Sequence, residues 1–111
     1  MYQLHVVALI DGYHDWHDAF AQAEPFRTAA GVTAYRVTQD VDDPGKVYVD
    51  LDFSAQEQAE NFIGVLETIW SSPQSRCVSR GHDRPQVREI RETSNPLSRT
   101  TMRSLSPAEE G

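Results

Sequence analysis

The 111-residue chain reads as one α+β domain with the element order β-α-β-β-α-β, a four-stranded antiparallel sheet carrying both helices on one face. Three observations predict this. Stretches rich in β-branched and aromatic residues alternate with stretches whose apolar residues recur at helical spacing. The two middle strands flank a turn short enough for a hairpin. A capping signature, Ser54 to Glu57, opens the second helix.

The first strand is Tyr2–Ile10 (YQLHVVALI), nearly all apolar, as in a central strand buried on both faces. Asp11 and Gly12 break it. From Tyr13 the period becomes helical, with Tyr13, Trp16, Ala19, Phe20 and Ala23 on one side until Pro25 ends or kinks the helix. Gly31 is placed to stop the short turn RTAAGV and reverse the chain. Val32–Gln39 is the second strand and Val47–Phe53 the third, joined by DVDDPG. The third strand alternates, with Val47, Val49, Leu51 and Phe53 facing one way and Tyr48, Asp50 and Asp52 the other.

In the second helix Ser54 and Glu57 are expected to satisfy each other's free backbone N–H groups. Ala55, Ala59, Phe62, Ile63, Leu66, Ile69 and Trp70 form its apolar side. Ser72 and Pro73 resemble an N-cap followed by a first-turn proline, so a short helix is expected from Pro73 to Ser79. Gly81–Pro85 reads as loop and Gln86–Glu92 as a polar edge strand. The domain therefore spans residues 1–93. Residues 94–111 form a serine-rich polar tail, with a partner subunit as the candidate to order it.

This order is the ferredoxin-like split βαβ arrangement. One sheet face meets the helices. The other is expected to present Gln3, His5, Val7 and Leu9 beside Tyr48, Asp50 and Asp52. Val7, Leu9 and Tyr48 form an apolar group ill suited to water, and the same face of a second copy would cover it. A homodimer closing into an α/β barrel is the expected assembly.

Composition narrows the function classes. A net charge of −7 disfavours nucleic acid as a partner. No stretch is long and apolar enough for a membrane span, and MYQLHVVALID lacks the features of a signal peptide. One cysteine, Cys77, fits a reducing compartment, so a cytoplasmic location is expected. Residues 1–60 hold 11 acidic and 3 basic side chains, against 6 and 7 in residues 61–111. Arg76, Arg80, Arg84, Arg88 and Arg91 recur every three or four positions, as internal or intersubunit complementarity to the acidic half or as an anion-binding strip.

Two residue clusters invite chemical readings. His14 and His17 lie about 60° apart on a helix and His14 and Asp18 about 40° apart, a spacing seen in metal sites. Two imidazoles and one carboxylate leave the set incomplete, while Asp11 and Asp15 suit the positive end of a helix. No metal site is therefore expected. The second cluster is His5 with Asp50, Asp52 and Tyr48, on strands that neighbour one another in this topology. A His5–Asp50 pair has two readings: a general base that deprotonates an acidic phenol or carbon acid for direct reaction with oxygen, or a polar cluster, joined by Arg36 or a last-strand arginine, that sets interface register.

From DGYHDWHDAF, through FRTAAGVTAYRVTQDVDDPGKVYVDLDF, to SAQEQAENF, the chain resembles the dimeric α/β-barrel superfamily, including the antibiotic-biosynthesis-monooxygenase-like and stress-responsive A/B barrel domains. Tyr13 and Trp16 opening the first helix, the turn Gly31-Val32-Thr33, and the hairpin Asp42-Asp43-Pro44-Gly45-Lys46-Val47 carry the resemblance, which covers residues 2–92. It implies a cleft between helices and sheet, with Trp16, Phe20, Tyr35, Phe62, Trp70 and His5 as its lining. It also implies a cofactor-free monooxygenase or cyclase acting on an aromatic or polyketide-like molecule. The fold equally hosts non-catalytic interaction proteins, and an open pocket with convergent polar groups would separate the two. Haem-degrading relatives pair a helix-end tryptophan with a downstream histidine. Here Trp70 and His82 occupy such places, but a loop histidine is a poor axial ligand, and no cofactor is expected. Cys77 is expected to be a small buried hydrophobe.

Overall fold

Alternation in the first and third strands sets the architecture, because it sends one residue set of each to a common core. In the computed structural model, which describes residues 1–93, β1 (Tyr2–Ile10) buries Leu4, Val6, Ala8 and Ile10. Strand β3 (Lys46–Phe53) buries Val47, Val49, Leu51 and Phe53 beside them. The two strands pair antiparallel from Tyr2 opposite Phe53 to Leu9 opposite Lys46. On the far side of β3 lies β2 (Val32–Gln39), with Val37 opposite Val49 and Arg36 opposite Asp50. The polar tail assigned to residues 94–111, and any ordering of it by a partner subunit, lies outside the described residues.

The last strand runs along the free edge of β1 in two pieces. β4 (Ser79–His82) pairs with Ala8–Ile10 and β5 (Gln86–Glu89) with Tyr2–His5. The order β2-β3-β1-β4, with β5 beside β1, gives the four sheet positions of a ferredoxin-like fold. The loop expected at Gly81–Pro85 is thus shorter than the sequence suggested. Gly81 and His82 join the ladder, and the Asp83 N–H donates to the Val7 carbonyl at 3.0 Å. Pro85 has no N–H to contribute and stands where the edge is interrupted.

Two helices replace the single one expected after β1. α1 (Tyr13–Gln22) ends at Ala23, which also begins α2 (Glu24–Ala30). Pro25 lies in the first turn of α2, where a missing N–H costs nothing, so it starts a helix instead of ending one. Gly31 closes α2 in the left-handed region, at φ 95°. A side chain there would also collide with Gln58, whose Nε2 would stand 2.6 Å from an added Cβ.

α3 (Gln56–Trp70) covers the sheet with Ala59 and Phe62 fully buried and Ile63, Val65, Leu66 and Trp70 packed around them. Its capping group lies one residue later than Ser54 and Glu57. The N-cap is Ala55, whose N–H donates to Gln58 Oε1 at 3.2 Å, and the reciprocal bond cannot form because alanine has no side-chain acceptor. α4 (Pro73–Val78) begins as expected, with Ser72 Oγ accepting from the Ser75 N–H at 3.2 Å. All the described helices are too short or too polar to cross a membrane.

The acidic first half and basic second half meet at Arg80. Its Nε lies 3.2 Å from Asp11 Oδ1, and its Nη2 donates to the Ile10 carbonyl at 3.2 Å. That is the internal complementarity reading of the charge asymmetry, at this one position.

Candidate functional site

A cavity of about 630 Å³ lies between the helices and the covered face of the sheet. Its floor is Val6, Ala8, Val49 and Leu51, the inward set of β1 and β3. α1 supplies Trp16 and Phe20, α2 supplies Phe26 and Arg27, and α3 supplies Phe62 and Trp70. Ring packing fixes the aromatic wall. Trp16, only 7 % exposed, stacks on Phe20 at 5.2 Å between ring centroids, and Phe20 meets Tyr35 edge-on at 5.4 Å. This volume is in the range that holds a small organic ligand, and the wall is overwhelmingly apolar.

Among the described residues that line it, two carry ionisable side chains, Arg27 and His82. Arg27 is 5 % exposed. Its Nη1 donates to the Phe20 carbonyl at 2.7 Å, and its guanidinium carbon lies 3.8 Å from the Phe20 ring centroid and 5.3 Å from that of Tyr35. Its Nε is buried without a hydrogen-bond partner. Burial lowers its pKa, and Tyr35 and Glu24 oppose that shift. A guanidinium remains charged through such a change. His82 stacks on Trp70, with centroids 3.9 Å apart and the planes 14° from parallel. Burial pushes its imidazole down to about 4, so it is neutral at pH 7 and offers a lone pair.

The sequence-predicted residues divide between this cavity and the opposite face. Trp16, Phe20, Phe62 and Trp70 line it. Tyr35 does not; it is 54 % exposed on the edge strand β2 and meets the wall from outside, through Phe20 and Arg27. His5 does not either, because odd-numbered positions of β1 point away from the helices.

On that open face the structure brings His5 and Asp50 together. They are register partners, and His5 Nδ1–H donates to Asp50 Oδ1 at 2.6 Å, with the side chains 21 % and 24 % exposed. Tyr48 stacks on the His5 ring at 6.0 Å and donates its hydroxyl to Asp40 Oδ2 at 2.7 Å. That bond is the main cause holding the Asp40 carboxyl below its ordinary range and raising the Tyr48 phenol. Asp52 lies further along the same face, opposite Gln3.

In the cluster opening α1, His14, Asp15 and Asp18 come together and His17 does not. His14 Nδ1 lies 3.5 Å from Asp15 Oδ1 and 3.6 Å from Asp18 Oδ2, all three well exposed. His17 turns away to stack on Tyr13 at 5.6 Å. Tyr13, expected in the buried stripe, is exposed and packs beside Trp16 at the helix start. Cys77 is exposed, not buried, because Ser75 and Val78 are the α4 residues turned toward the body of the subunit. Nothing in the sequence marks Arg27 as a site residue. α2 has only seven residues, too few to display a period that would mark its inward side.

No protein-family model matches the chain, and none of the curated proteins does. Solved structures do. SnoaB, a cofactor-independent oxygenase from Streptomyces nogalater, is 11 % identical with a TM-score of 0.58, the match covering 83 % of this chain and 94 % of that one. A candidate antibiotic biosynthesis monooxygenase from Bordetella bronchiseptica is 14 % identical with a TM-score of 0.61, over 84 % and 97 %. A dimeric ferredoxin-like protein from an uncultured marine organism is 12 % identical with a TM-score of 0.59, over 83 % and 97 %. At such identities the likeness establishes architecture, and the chain has the ferredoxin-like fold shared by antibiotic biosynthesis monooxygenase-like and dimeric ferredoxin-like proteins.

Proposed function

We propose that the protein binds an aromatic or polyketide-like small molecule in the cavity and oxidises it as a cofactor-independent monooxygenase. It works as a homodimer joined through the open sheet faces. The observation that carries this is the aromatic-walled cavity lined by two ionisable groups, which a purely structural interaction protein has no need to keep open. The fold shared with a cofactor-independent oxygenase and with a dimeric ferredoxin-like protein supports it.

The chemistry asks little of the protein beyond binding. An acidic C–H or O–H of the substrate passes its proton to water, the electron-rich anion reacts with oxygen, and the peroxide formed takes a proton back as its O–O bond breaks. A CH₂ becomes a carbonyl, and the second oxygen atom leaves as water. Trp16, Phe20 and Trp70 hold the ring system away from solvent. The Arg27 cation favours the anionic form, and neutral His82 accepts a hydrogen bond that orients the reacting group. The His5–Asp50 pair lies across the sheet from this site, so we assign it to interface register, the second of its two sequence readings.

Anthrone is a suitable probe, since oxidation of its CH₂ gives anthraquinone. With oxygen and no added metal or flavin, the protein should accelerate anthraquinone formation at least tenfold over buffer. Ala19→Trp, which fills the cavity, should abolish the acceleration. A rate equal to buffer alone, or one unaffected by Ala19→Trp, would count against oxygenation at this site.

A further inference from the structure

We propose that Arg27 is the anchor for an oxyanion, in its stable form a carboxylate, carried by the aromatic ligand of the cavity. The inference rests on the reading of the cavity as a ligand site and adds the class of molecule it selects.

Four observations converge on Arg27. Its guanidinium is buried. Among the described residues no carboxylate forms an ion pair with it, and Glu24 acts on it only from a longer distance. Its Nε has no hydrogen-bond partner. The group is nonetheless held in place, by the bond from Nη1 to the Phe20 carbonyl and by the Phe20 and Tyr35 rings. An unpaired buried charge is costly, and the cost falls when an anion arrives to share its donors. If Arg27 served only to satisfy the Phe20 carbonyl where α1 meets α2, a neutral donor would suffice. The planar fork of a guanidinium suits a carboxylate, and the apolar wall leaves the attraction weakly screened. The remaining ionisable group of the lining, His82, is neutral at pH 7 and provides no competing negative charge.

The test compares 2-naphthoate with its neutral methyl ester, both followed by quenching of Trp16 and Trp70 fluorescence at pH 7. Wild-type protein should bind the acid at least tenfold more tightly than the ester, a comparison that needs no variant. Arg27→Gln should bring the two affinities to within about twofold of each other, and Arg27→Lys should restore part of the preference, with circular dichroism checking that each variant is folded. Equal affinities in wild type, or a preference that persists in folded Arg27→Gln, would overturn the anchor. In that outcome the cavity reading stands if Ala19→Trp removes both probes. Failure of both probes to bind wild type, or binding that survives Ala19→Trp, would remove the cavity reading and the anchor with it.

Discussion

Neighbouring residues of β1 and β3 serve two faces built on different principles. On the covered face Leu4, Val6, Val49 and Leu51 contribute only apolar surface, and the polar groups come from elsewhere: Arg27 from α2 and His82 from β4. On the open face the polar groups belong to the central strands themselves, as the cross-strand partners His5 and Asp50 with Tyr48 one step along. The covered face leaves a cavity, while the open face pairs His5 with Asp50 and leaves Val7 and Leu9 as apolar surface. On the proposed reading, chemistry and assembly are separated by the thickness of one sheet. A conspicuous His–Asp pair lies on the face proposed to meet a partner, and an inconspicuous arginine on the face proposed to hold a ligand.

Substitutions on the two sides should behave differently. The largest effect is expected from Phe62→Ala, since Phe62 is 1 % exposed between α3 and the sheet. Its loss should cost about 3–5 kcal/mol in chemical denaturation. A cost below 1 kcal/mol would mean that the covered face is not the core.

A second, smaller effect concerns His82. Its folded pKa of about 4 lies below the unfolded value near 6.5, so between these limits the unfolded chain binds more protons. Stability should therefore be full above pH 6.5 and decline progressively toward pH 4. The loss attributable to this group is about 1–2 kcal/mol once screening by solvent at the ring is allowed for. His82→Gln should flatten that part of the pH–stability profile. An unchanged slope would place the ring in water.

The smallest change in the stability of the subunit is expected on the open face. Val7→Asp should cost about 1 kcal/mol or less, the span of strand preferences. Yet it should convert a dimer into a monomer by analytical sedimentation at micromolar concentration, because it puts a charge at the proposed interface. A wild-type monomer, or a variant that stays dimeric, would break the division of labour between the faces.

The same division explains what could be read from the amino-acid order. Strict alternation along Val47–Phe53 sorted the faces of β3, β-branched and aromatic content with the turn DVDDPG located β2, and the His5–Asp50 pairing followed from parity and topology. These are local periodicities with a repeat of two, legible within a few residues. Helix ends were less legible. Pro25 suits the last turn of one helix or the first of the next, and only the path of the chain at Ala23 chose between them. β4 was hidden because Gly81 and His82 look like loop, and it is the neighbouring β1 that recruits them.

By itself, then, the sequence determined the positions of β1, β2, β3 and α3, the two faces of the central strands β1 and β3, and the pair that joins them. These depend on backbone geometry and on which side chains avoid water. Tertiary structure alone decided that Arg27 is buried and that His82 lies against Trp70 over a cavity. The reason is physical: a side chain's burial on a seven-residue helix or a four-residue edge strand depends on what packs over it, and those neighbours are distant in the chain.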